Sequence, residues 1–86
     1  MNRLNFRPQD WSKVEKEHNH IDSLQKELAI NIERNNFATA ELCAEDIISS
    51  IKEIRKLKKV KQEHERLMEL AERLGQIGLN VEVVAR

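Results

Sequence analysis

Hydrophobic positions recur along this chain with the period of an amphipathic helix. Val14, Ile21, Leu24, Leu28 and Ile32 follow one another at spacings of 7, 3, 4 and 4, which sets one apolar stripe on a helix. The heptad complement of that stripe includes His18 and Gln25, so the seam is partly polar. Ser12-Lys13-Val14-Glu15 matches a capping box, in which hydroxyl and carboxylate satisfy orphan backbone amides reciprocally. Asp10 is a competing cap, with Trp11 then entering the first turn. A second stripe, Phe37, Ala40, Ala44, Ile47, Ile51 and Ile54, alternates spacings of 3 and 4, as a coiled-coil seam does. Leu57, Val60, Leu67, Ala71 and Leu74 continue it on a displaced line. A three-residue slip near Leu57 describes the displacement, and such slips move the contact face of a coiled coil.

Arg34-Asn35-Asn36 separates the two stripes. Asparagine tolerates the left-handed conformation and also caps helices well. The sequence therefore predicts a tight turn, with Asn35 ending one helix and Asn36 capping the next. An unbroken helix through both asparagines is the alternative. Ala38, Ala40 and Ala44 would let the helices approach closely near the turn. After the second stripe, Gly75 stands where a glycine cap is expected. Gly78 and the β-branched run Leu79-Asn80-Val81-Glu82-Val83-Val84 then read as a short extended tail. The expected fold class is all-α: a helical hairpin over about 12–34 and 37–74 with coiled-coil-like packing. Residues 1–11 form an arm and 75–86 a tail within one helical domain, 1–86.

The two predicted helices are unequal, roughly 35 Å against roughly 57 Å at 1.5 Å per residue. Paired from the turn, the second overhangs the first by about 14 residues. The overhang carries Leu67, Met68, Leu70, Ala71 and Leu74. An exposed apolar patch of that kind marks an interaction site. These five residues, with Trp11 and Phe37 as anchors at the hairpin ends, form the expected protein interface. A second subunit is the economical cover, giving an oligomeric bundle with a dimer favoured. Leu4 and Phe6 folding back over the overhang is the alternative.

Composition supports that expectation. The 86 residues are 40% hydrophobic and 35% charged but only 3% aromatic, so a core must be aliphatic and narrow. Small scaffolds usually add a disulfide, a metal or a partner chain. One cysteine excludes an intramolecular disulfide. His18 and His20 point apart on a helix and His64 belongs to no zinc-binding spacing, so no cofactor or metal is expected. A partner chain remains by elimination. Cys43, in an apolar helix, reads as a small buried hydrophobe.

No phosphate-binding glycine loop or nucleophile elbow is present, and two helices leave little room for a water-excluding pocket. A non-enzymatic protein is therefore expected. Residues 1–20 are polar and no apolar run approaches a membrane span. A cytoplasmic protein without membrane contact follows from that reading. Net charge is zero, yet Lys52, Arg55, Lys56, Lys58, Lys59 and Lys61 crowd residues 52–61 against Glu53 alone. One reading is a solvated face paired with the acidic residues of the first helix. The other is an anion or nucleic-acid contact. The expected function is a small protein-binding regulator or adaptor, an inhibitor, chaperone or assembly factor of bacterial or phage type. Nucleic-acid or anionic-ligand binding through 52–61 is the alternative.

Overall fold

A computed structural model of the chain describes residues 2–76, and the expected extended tail, Leu79–Val84, lies outside that range. Two single turns of 3₁₀ helix, Arg3–Asn5 and Pro8–Asp10, lead into α1, Trp11–Glu33, and α2, Phe37–Gln76. The helices pack against each other as an antiparallel hairpin. The molecule is a rod of 66 × 19 × 16 Å, its length set by the 40 residues of α2.

The turn forms where the asparagines predict it. Asn35 adopts a positive φ of 60°. The Asn36 N–H donates to the Asn31 carbonyl at 2.8 Å and the Asn35 N–H to that of Ile32 at 3.1 Å. This is the Schellman pattern, in which a left-handed residue lets the chain satisfy the last helical carbonyls. Asn36 then opens α2, its carbonyl accepting from the Ala40 N–H at 2.9 Å.

The start of α1 differs from the expected capping box. The helix begins at Trp11, one residue before Ser12, with Asp10 at the cap position. Asp10 makes no side-chain cap bond, and its backbone, at φ −100° and ψ −8°, is already near-helical. A capping side chain works from an extended backbone, which Asp10 lacks. Its carboxylate instead accepts from Arg7 Nε at 2.8 Å. At the other end Gly75 keeps a helical backbone and α2 continues to Gln76. A glycine ends a helix when it turns left-handed, and this one does not.

The seam between the helices is more regular than the apolar spacing suggested. On α1 the buried and half-buried positions are Trp11 and then Val14, Glu17, Ile21, Leu24, Leu28 and Asn31. On α2 they run Ala40, Cys43, Ile47, Ser50, Ile54 and Leu57, with Ala44 half-buried beside them. Both rows alternate steps of three and four. Residues equidistant from the turn share a level, so Val14 meets Leu57 and Leu28 lies level with Cys43. The seam's polar members are therefore Glu17, Asn31 and Ser50, whereas His18 and Gln25 are exposed. Ile32 and Ile51, expected in the seam, are exposed too. Two successive steps of four carry Ile32 some 80° around the helix from Leu24, which takes it off the face. On α2 the row Cys43–Ser50–Leu57 faces α1 in place of Phe37–Ala44–Ile51. That choice removes the slip from the intrachain seam.

The N-terminal arm closes the open end of the hairpin. Phe6, Val14 and Leu57 form a buried cluster flanked by Trp11 and Ile54. The Trp11 indole N–H donates to the carbonyls of Arg3, at 2.9 Å, and Phe6, at 3.2 Å. The Arg3 guanidinium lies over the Trp11 ring, 5.1 Å from its centroid. From α2 the Lys61 ammonium donates to the Leu4 carbonyl. The Leu4 side chain is itself exposed, so among the described residues Phe6 supplies the arm's contact with the buried cluster. Phe6→Ala should lower the unfolding free energy by about 3 kcal/mol, as loss of a buried aromatic does. Leu4→Ala should cost less than about 0.5 kcal/mol. Urea unfolding of both variants checks the docking of the arm, and equal costs would contradict it.

Candidate interaction surface

α1 and the arm cover α2 only as far as Lys61. Residues 62–76 project beyond them for roughly 22 Å. Leu67, Met68 and Leu70 are each more than half exposed there, while Ala71 and Leu74 are half-buried. Val60, His64, Leu67, Ala71 and Leu74 step by 4, 3, 4 and 3, a coiled-coil row of its own. It leaves the α1-facing row at Leu57. The displacement visible in the sequence is thus a handover between two rows: one is filled by α1, the other by nothing within residues 2–76.

The seven expected interface residues do not form one patch. Of the five in the overhang, Leu67, Ala71 and Leu74 share one side of α2, whereas Met68 and Leu70, two residues apart, lie on opposite flanks of it. Trp11 is half-buried against the arm cluster. Phe37 is exposed at the first position of α2, some 45 Å along the helix from Leu67.

The basic residues share a face. Lys52, Arg55, Lys56, Lys58, Lys59 and Arg66, with Gln62 and Glu63, line one surface depression on α2. Spacings of three and four bring them to one side, away from α1. Because one helix supplies all of them, the surface is a comb of side chains rather than an enclosed cavity. Lys61 is turned from it, toward Leu4 and, at 3.5 Å, Glu65. Arg66 belongs to the face although it lies outside the basic run. Only the helical periodicity carried past residue 61 would have found it. The basic segment does not pair with the acidic residues of α1. Among the described residues its carboxylate partners are all within α2, Lys59 with Glu63 at 3.9 Å and Lys61 with Glu65. Exposed pairs of this kind contribute less than about 1 kcal/mol.

The groups able to do chemistry stand apart. Among the described residues no three His, Cys, Asp or Glu side chains group as metal ligands would. His18, His20 and His64 are exposed. Cys43 is buried, and its thiol lies 3.9 Å from the Glu27 carboxylate, to which it donates. Burial pushes the thiol pKa above its ordinary value, and the negative charges of Glu27 and Asp46 push it the same way. The nucleophilic thiolate is thereby suppressed at neutral pH. Stability arising from this shift is full while the unfolded thiol is protonated and is lost as pH rises past that point. Alkylation of Cys43 by iodoacetamide at pH 8 should be at least about tenfold slower in the folded chain than in urea. Equal rates would place the thiol at the surface.

No described helix is long and apolar enough to cross a membrane. Comparison of the chain with protein-family models, curated proteins and solved structures finds no match to any of them.

Proposed function

We propose that this is a small, non-enzymatic, cytoplasmic binding protein of the adaptor, inhibitor or assembly-factor kind. It forms a homodimer and offers the overhang of α2 to a helix of another protein. The observation that carries this reading is the divergence of two heptad rows at Leu57. The first row is satisfied within the chain. The second, Val60 to Leu74, has the spacing of a helix-packing seam and exposes Leu67. An amphipathic helix laid along such a row is a recurring mode of protein recognition. Leu67→Asp with Leu74→Asp should remove the proteins that co-purify with the tagged chain and leave its helical circular dichroism unchanged. Undiminished co-purification would contradict the overhang as the contact.

A second reading rests on the basic face, whose lack of pairing with α1 leaves its charge available to an anion. Nucleic-acid binding there should fall steeply with salt, about 0.9 logarithmic units per phosphate neutralised for each tenfold rise. It should be lost in Lys56→Glu with Lys59→Glu. Binding that ignores salt or survives those changes would remove this reading.

A further inference from the structure

We propose that the outer face of α2 is a self-complementary interface on which two copies pair antiparallel. This deepens the homodimer reading above by assigning it a surface, and that surface is distinct from the overhang.

Three observations converge on this face. The first is an unused apolar row. Phe37, Glu41, Ala44, Ile48, Ile51, Arg55 and Lys58 step by 4, 3, 4, 3, 4 and 3 along the flank of α2 turned from α1. Phe37, Ile48 and Ile51 are 62%, 51% and 44% exposed. Isoleucine side chains at seam spacing gain the most when a second helix covers them.

The second is charge segregation along the same face. Toward the turn this face carries Glu41 and Glu45, and residues 35–51 hold no lysine or arginine. Beyond Ile51 it carries Lys52, Arg55, Lys56, Lys58 and Lys59. The outer face is therefore apolar and acidic toward the turn and basic beyond Ile51. The third is that no α1 carboxylate pairs with these bases among the described residues.

A face with opposite charge in its two halves selects the orientation of its own copy. Parallel apposition sets lysine against lysine. Antiparallel apposition about a two-fold axis between Ile48 and Ile51 sets each basic half over the acidic half of the second copy. At that register Ile48 of each copy lies level with Ile51 of the other. Arg55 comes level with Ala44, between Glu41 and Glu45, and Lys58 comes level with Glu41. The contact is isologous, as two-fold interfaces are. Its apolar centre is rimmed by opposite charges that fix the register. Residues 37–62 of the two copies overlap for roughly 38 Å. The overhangs project beyond the overlap, one at each end, and stay free for another protein.

Sedimentation equilibrium of the purified chain, free of nucleic acid, tests the assignment. The chain should sediment as a dimer. Ile48→Asp with Ile51→Asp should give a monomer of unchanged helicity, since both side chains are exposed within one chain. Glu41→Lys with Glu45→Lys should weaken association at least about tenfold. Adding Arg55→Glu with Lys58→Glu to that variant should restore it to within about threefold. A monomeric parent chain would overturn both the homodimer and this interface. A dimer indifferent to Ile48→Asp with Ile51→Asp, but broken by Leu67→Asp with Leu74→Asp, would keep the homodimer and overturn this interface. Association that appears only when nucleic acid is added would also overturn it, in favour of the basic face as a nucleic-acid contact.

Discussion

The left-handed turn at Asn35 fixes everything that follows it. Once the Asn36 N–H has reached back to the Asn31 carbonyl, the register of the hairpin is set and each residue of α1 has one level to occupy on α2. A step of one residue in that register would rotate both rows off their faces. Val14 therefore lands on Leu57, and α1, with 23 residues, ends far short of α2. The uncovered end of α2, residues 62–76, results from this arithmetic of lengths.

The arm limits the damage at the open end. Without it Val14 and Leu57 would lie at the hairpin mouth. Phe6 and Trp11 enclose them, and the arm's backbone carbonyls find partners in the Trp11 indole and the Lys61 ammonium. Lysine 61 thereby marks a physical boundary. On one side the helix is packed by its own chain. On the other it exposes leucine and methionine, and the flank nearer the turn exposes isoleucine. A chain with so few aromatic residues gains little stability from a two-helix core, so a second chain covering these surfaces would have a large relative effect on it.

Much of this architecture was legible in the sequence because it rests on local rules. Two adjacent asparagines announced the turn, helical spacing announced both helices, and their lengths announced the overhang. The slip at Leu57 was legible as well, though its meaning was not. The choice between Cys43–Ser50–Leu57 and Phe37–Ala44–Ile51 as the row facing α1 is tertiary. Hydrophobicity alone favours Ile51, whereas the turn's register puts Ser50 level with Ile21. The capping box at Ser12 failed because the helix begins one residue earlier, at Trp11. The competing cap, Asp10, pairs with Arg7 instead, which spacing does not reveal. The basic face was read as a run of residues, but a helix presents faces rather than runs. Arg66 was therefore missed, and Lys61 was included although it points elsewhere.

The chain covers α2 only up to Lys61, leaving a packed stretch and an uncovered one, residues 62–76. Residue-resolved amide hydrogen exchange on the purified chain tests it most directly. Backbone amides buried in cooperative structure exchange only through global unfolding, while uncovered helix opens locally at far lower cost. Protection should be highest over residues 40–61 and fall by at least about a hundredfold over 63–75. Uniform protection through residue 75 would contradict the account, because it would mean that the overhang is already covered.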